Sequence, residues 1–416
     1  MKKKIANFYL KNKTVISNFS YLSILQALSL LVPIIIYPLL INKIGTNNFG
    51  LIIYAQAIIT YITIFVGFGF NISGVKEISI HRNDKKKVIQ IVNSIQFSKL
   101  IILIISIIIF LIALYFIPYL QENRLLFILS FWYAILDIVF PVWYFQGIER
   151  MKYITLLSLG SKVIFLILIV LFINVEEDYI LVPLFQGLGT LFVGVSSLYI
   201  IVIAHKINIV IPLKTELIHQ LKAAMPIFVS NISIQLYANS NRIIVGNFLG
   251  MNEVTFYDIS EKIINLLKLP QSIITQTLFP KIALEKNSKS VKKIAQYSIT
   301  IAVFLSLITY LFTPEILYII GGENVIEAKN AMRLLLITVP IVVLSNIFGI
   351  QLLIAFGYTK IFTKIIISSF LFYIVITIIM YYTLGFNLNR IILLTVFTEL
   401  FVTLLMFIYC KKIKLW

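Results

Sequence analysis

The stretch Leu100–Ile117, LIILIISIIIFLIALYFI, runs eighteen residues without a charge and stops at Pro118. Lipid offers no partner for backbone N–H and C=O groups, so a run of this length and polarity must close its hydrogen bonds within itself as a membrane-crossing helix. Working outward from it, apolar runs bounded by charge or turn residues give twelve segments: 17–41, 49–70, 93–117, 124–147, 153–173, 180–204, 223–247, 257–280, 294–313, 330–356, 362–384 and 390–410. The first is no cleavable signal peptide. It is too long, holds Pro33 and Pro38, and lacks a small-residue cleavage pattern behind it.

Composition agrees. Of 416 residues, 60% are hydrophobic and 12% charged, where a soluble domain has about half and a quarter. A soluble enzyme, a disordered chain and a nucleic-acid-binding domain are excluded. One cysteine, Cys410, excludes a disulfide framework and a cysteine-based metal site. His81, His205 and His219 share no ligand spacing. No polar connection exceeds about twenty-two residues, so neither an extracytoplasmic catalytic domain nor a nucleotide-binding domain has room, and no Gly-rich phosphate loop occurs.

The net charge of +18 follows the membrane. With twelve spans, 25 Lys and Arg fall on the side of the N-terminus, from Lys2, Lys3, Lys4, Lys11 and Lys13 through Lys85, Lys86 and Lys87 to Lys411, Lys412 and Lys414. Four, Lys43, Arg124, Lys329 and Arg390, fall opposite, and six lie within spans. The positive-inside rule then places both termini in the cytoplasm and makes the basic clusters topology signals and contacts for anionic lipids.

An internal repeat divides the chain. Lys43-Ile44-Gly45-Thr46-Asn47 resembles Phe248-Leu249-Gly250-Met251-Asn252 at an offset of 205. The same offset carries Gln56, Thr60, Thr63 and Gly67, one face of the second span, onto Glu261, Asn265, Lys268 and Ser272 in the eighth. The expected organisation is an N-terminal lobe over 1–205, a cytoplasmic linker over 206–222 and a C-terminal lobe over 223–416, six spans each, with matching polar stripes facing a central space.

Charges inside spans mark candidate sites, because each costs about 2.5–3.5 kcal/mol at mid-depth on insertion scales. Lys99 and Lys162 lie near inner ends, where they can snorkel. Arg242 and Lys268 are the expected anion-binding pair, with Asn231, Gln235 and Asn239 on the Arg242 face and Gln56 and Asn265 on the matching stripes. Asp137, Glu399 and Glu261 are the ion-coupling candidates. Against these stand internal neutralisation of Lys268 by Glu261 or Asp137, a satisfied carboxyl at Asp137 beside Pro141, and a buried Glu399 bonded to Thr395 or Thr403.

Several stretches resemble bacterial O-antigen repeat-unit flippases of the Wzx type, within the superfamily that includes multidrug-and-toxin exporters and lipid II flippases. They are Ile44–Gly50, Gly67–Ser73 with Lys76-Glu77-Ile78, Trp143–Glu149, Pro226–Asn231 through Asn239–Arg242, and Ser260–Ile264 closing at Phe279-Pro280. The resemblance implies an all-α membrane protein of two six-helix lobes in a V, in the bacterial cytoplasmic membrane. It implies transport of an undecaprenyl-diphosphate-linked oligosaccharide to the outer leaflet, driven by a proton or sodium gradient through a cationic lumen. No cofactor, metal or nucleic acid is expected; an O-unit polymerase and a chain-length regulator are the implied protein partners. The chain departs from lipid II flippases in lacking a thirteenth and a fourteenth span. It departs from other relatives in carrying amides at Asn239 and Asn241, which weakens a cation site on the seventh span. The alternatives are a multidrug exporter, which predicts acidic rather than basic cleft charges, and a membrane O-unit polymerase or glycosyltransferase, which needs a large outer loop.

Overall fold

The computed structural model describes residues 13–416. Lys2, Lys3, Lys4 and Lys11 of the first basic cluster lie outside the described residues. Among those described there are helices and no strand. Two compact units divide the chain: Met1–Leu39 with Ala55–Ile232, and Leu40–Tyr54 with Ser233–Trp416.

The first unit takes most of α1 (Lys13–Gly67), then α2 (Phe70–His81), α3 (Lys85–Phe116), short α4 (Pro118–Glu122), α5 (Arg124–Ser130), α6 (Trp132–Val139), α7 (Val142–Gly147), α8 (Met151–Phe172) and α9 (Leu181–Leu198). α9 ends in a π-helical turn over Tyr199–Ala204. Local chemistry sets the ends. Asp84 accepts from the Lys87 amide at 3.1 Å and starts α3, and Pro118 cannot continue it. The opening run lies on α3 with most of its large apolar side chains turned outward; Ile109 is 61% exposed, while Phe110 and Leu114 are buried. A surface of this kind is stable only against lipid.

The core of this unit brings two separated stretches together. Trp143 on α7 is fully buried among Phe70, Ile78, Ile95 and Phe145. Its ring lies over Gly74 of α2, where a Cβ would stand 2.7 Å from Trp143 Cε3, and Gly147 in turn leaves room for Ile78.

The second unit takes the turn of α1 around Gly45, the later part of α10 (Lys214–Phe248), α11 (Met251–Leu267), α12 (Leu269–Glu285), α13 (Ser288–Leu311), α14 (Thr313–Gly321), α15 (Lys329–Leu335), α16 (Thr338–Asn346), α17 (Thr359–Thr383) and α18 (Leu388–Lys412). Its core includes Val291, Val339, Ile347, Leu352, Ile392 and Cys410. The repeat has a backbone counterpart. Gly45 (φ 75°, ψ 166°) and Gly250 (φ 107°, ψ 174°) both occupy positive φ, which glycine adopts without steric cost, and each interrupts the helical path at the same point of the repeat. The two turns meet inside this unit. Thr46 Oγ1 donates to Asn252 Oδ1 at 2.8 Å, and Thr255 Oγ1 donates to the Thr46 carbonyl at 2.6 Å. At Gly50 a Cβ would fall 1.8 Å from the Met251 carbonyl oxygen, so only glycine fits.

Eight helical stretches among the described residues are long and apolar enough to cross a membrane, nine if the bent pair Thr313–Leu335 and Thr338–Ile354 is one span. The sequence predicts twelve segments. One of the eight, Ser23–His81, holds most of the first expected segment and all of the second, joined through Gly45. The expected seventh and eighth segments are helical in α10, α11 and α12 but are not among the eight. They carry the Asn, Gln, Glu and Lys side chains in which the candidate site lies.

Candidate functional site

α10 and α11 meet at Gly250, so residues equally far from it come side by side. Arg242 stands eight before and Asp258 eight after. Arg242 Nε donates to Asp258 Oδ1 at 2.9 Å, and Nη1 donates to Asn239 Oδ1 at 3.0 Å. Nη2 lies 2.8 Å from Glu261 Oε2, close enough to pair but not aligned as a hydrogen bond, so that oxygen has no hydrogen-bond donor. Asn239 Nδ2 donates to Gln235 Oε1 at 2.6 Å, one turn earlier. Gln235, Asn239 and Arg242 thus form one connected polar row, as the spacing predicts.

Lys268 sits at the junction of α11 and α12. Pro270 has no N–H to give the Leu266 carbonyl, and its ring crowds the preceding turn, so the helix breaks there. Lys268 forms no ion pair within 4 Å among the described residues. It lies within electrostatic reach of Glu399 first and Glu261 second. Glu399 is half-buried on α18, and its own carbonyl, not its carboxylate, takes the Thr403 hydroxyl at 2.7 Å. Asn265 is half-buried on α11 between Glu261 and Lys268. The neighbourhood therefore holds two cations, Arg242 and Lys268, and three carboxylates, Asp258, Glu261 and Glu399.

Asn241 was not among the expected site residues, yet it ties four helices together. Its Nδ2 donates to Tyr257 Oη at 3.0 Å and Thr395 Oγ1 at 2.8 Å, and its Oδ1 accepts from Tyr373 Oη at 2.7 Å. At 2% exposure its donors and acceptor are spent on protein. Asp258 was also missed as Arg242's partner. It lies at a predicted span boundary, and only the symmetry about Gly250 points to it.

The remaining candidates lie in the first unit. Asn231 is half-buried, further toward the start of α10. Gln56 Nε2 donates to Gln186 Oε1 at 3.4 Å, and the hydroxyls of Thr60 and Thr63 bond carbonyls of their own helix at 2.7 and 3.1 Å. Asp137 accepts from Lys99 Nζ at 2.7 Å and Asn71 Nδ2 at 3.3 Å. The snorkelling expected of Lys99 is corrected by this contact. Its side chain is fully buried and turned inward. The reason is local: Pro141 has no N–H for the Asp137 carbonyl, and Lys99 Nζ takes that oxygen too, at 3.1 Å. Gln96, one turn away on α3, likewise bonds the Ile138 carbonyl at 3.1 Å. No group of three or more histidines, cysteines and carboxylates that could hold a metal occurs among the described residues.

A relative from Escherichia coli (strain K12), named "Putative O-antigen transporter", is 29% identical over 362 residues, covering 85% of this chain and 86% of its own. A relative of the same name from Shigella dysenteriae is 22% identical over 356 residues, covering 84% and 89%. Among solved structures, an inward-facing multidrug resistance MATE family transporter of the MOP superfamily matches with a TM-score of 0.74 at 14% identity, over 92% of this chain and 94% of that one. A MOP superfamily transporter from Pyrococcus furiosus Vc1 (DSM3638) matches with a TM-score of 0.63 at 12% identity, over 94% of each. At such identities these two matches speak for the fold alone: an all-α multi-pass membrane architecture of the MATE kind. The polysaccharide biosynthesis protein family matches residues 15–285, which include the Arg242 row and Lys268. The chain belongs to the polysaccharide biosynthesis protein family.

Proposed function

We propose that this chain is a flippase that carries an undecaprenyl-diphosphate-linked O-antigen unit from the inner to the outer leaflet of the bacterial cytoplasmic membrane. It would cross twelve times with both termini cytoplasmic and draw on a proton or sodium gradient. One observation carries the reading: Arg242, in an apolar helical unit of a family member, presents an ordered guanidinium with an amide row beside it and Lys268 nearby. A diphosphate is the natural competitor for such a group, because Arg binds phosphate in two places at once. The amides then suit sugar hydroxyls.

The carboxylates supply a means of coupling. Arg242 held by Asp258 and Glu261 is unavailable to an anion. A coupling cation that competes with Arg242 for both carboxylates would loosen that hold and free the guanidinium for the diphosphate; its release would restore the hold. The experiment uses a strain deleted for the protein and complemented with variants at equal membrane levels. Arg242→Ala and Lys268→Ala are expected to accumulate the lipid-linked unit inside and to present no O-units on the surface. Wild-type surface polysaccharide in both variants would sink the reading.

A second reading rests on the same count of charges. Three carboxylates to two cations is the balance a multidrug exporter of cations would use. Export of a cationic dye that depends on Glu261 and leaves O-unit presentation unchanged would favour it.

A further inference from the structure

A cavity of about 690 Å³ lies apart from the Arg242 row, between α13, α15 and α16 and the start of α18. Its size is that of a small-molecule site. Most of its wall is apolar, and Leu307 and Ile337 on its rim are large, exposed hydrophobics of the kind that face lipid. Its polar groups are Arg333, Ser306, Asn330 and Asn389.

Two of these carry a buried polar atom with no hydrogen-bond partner. The Arg333 guanidinium stands 4.4 Å from the centre of the Tyr310 ring, and its Nη2 reaches the Tyr310 carbonyl at a long 3.4 Å. Its Nε is buried without an acceptor, as is the Ser306 hydroxyl. No carboxylate lies within ion-pair distance of Arg333 among the described residues. A half-buried cation whose buried Nε has no acceptor, at an apolar mouth, calls for an anionic acceptor. On the predicted span 330–356, Arg333 lies one turn in from the polar end at Lys329, where a headgroup would meet the hydrocarbon.

We propose that this cavity binds an anionic phospholipid of the surrounding bilayer, its phosphodiester on Arg333 and Ser306 and its acyl chains over Leu307 and Ile337. The site is separate from the Arg242 row and does not depend on what that row transports. Phosphate supplies the missing acceptors, and the tails cover the apolar rim.

The test is native mass spectrometry of the full chain titrated with phosphatidylglycerol, phosphatidylcholine and glycerol 3-phosphate. The wild type should hold one phosphatidylglycerol at least tenfold more tightly than phosphatidylcholine. Arg333→Gln should lose that preference, and Arg333→Lys should keep part of it. An undiminished preference in Arg333→Gln overturns the site. Displacement of the lipid by equimolar glycerol 3-phosphate overturns the lipid as occupant in favour of a free phosphate. Should Arg333→Gln fail to fold in neutral lipid, Ser306→Leu, which fills the cavity, decides the matter: lost preference upholds the site and retained preference overturns it.

Discussion

Lys99 Nζ holds Asp137 twice, through the carboxylate at 2.7 Å and through the backbone carbonyl at 3.1 Å. The lysine completes a helix end that Pro141 leaves open and neutralises a carboxylate in the same contact. This assigns Asp137 a structural task before any task in ion coupling.

Removing one member of that pair should therefore reduce stability, not transport alone. Lys99→Met strands a carboxylate and a carbonyl, and loss of one partner of a buried pair costs about 3–5 kcal/mol. Thermal melts in detergent are expected to fall clearly for Lys99→Met and for Asp137→Leu, and by less for the double variant. Unchanged melting of Lys99→Met would show that the pair contributes nothing.

The Arg242 row separates scaffold from substrate roles. Arg242→Gln leaves Asp258 and Glu261 facing each other, so it should lower the melting temperature; adding Asp258→Asn should recover most of the loss. Surface O-units should stay absent in both. Recovery of O-units along with stability would make Arg242 scaffold only. For Lys268, the pair Lys268→Gln with Glu261→Gln supplies the matching check: restored surface polysaccharide would move Lys268 to the scaffold.

Gly74 is set by Trp143. A Cβ at 2.7 Å from the indole forces the ring or the helix to shift, and overpacking of this kind costs about 1–3 kcal/mol. Gly74→Ala should melt lower than the wild type, and Trp143→Phe should relieve part of that loss in the double variant. Additive losses would contradict the contact.

His205 gives a pH dependence outside the spans. Its Nδ1 lies 2.9 Å from Tyr144 Oη. Burial, and then the charge of Arg150, hold its pKa below the ordinary histidine value. The folded state thus binds fewer protons than the unfolded one in this range. The stability it contributes is complete above the ordinary histidine pKa of about 6.5 and is lost as pH falls from there toward the depressed folded value. Melting temperature should drop between about pH 7 and 5, and His205→Gln should flatten that drop. An equally steep drop in His205→Gln would assign the effect elsewhere.

Topology is open to thiol labelling. Cys410 is fully buried, so its silence toward an impermeant reagent carries no information about sidedness. Cysteines at the exposed positions Glu177 and Lys86 do. Position 177 should react in intact cells and position 86 only after permeabilisation; the reverse pattern would invert the orientation.

The sequence by itself determined the helices, the membrane and the family. Leu100–Ile117 permits only a helix in lipid, and a repeat anchored on Gly45 and Gly250 shows in the letters because a positive φ at each turn admits little else. The row Gln235, Asn239 and Arg242 was legible for a similar reason: neighbours on one helix face follow from a fixed period. Tertiary structure decided which charges meet. Nothing in the spacing of Lys99 and Asp137, or of Arg242 and Asp258, states that they pair, because partners on different helices depend on packing and on where a helix breaks. Pro141 frees the Asp137 carbonyl and so draws Lys99 inward, and Gly250 folds α11 back on α10 and so delivers Asp258 to Arg242. A buried charge is legible in a sequence as a need; its partner becomes visible only when the chain is folded.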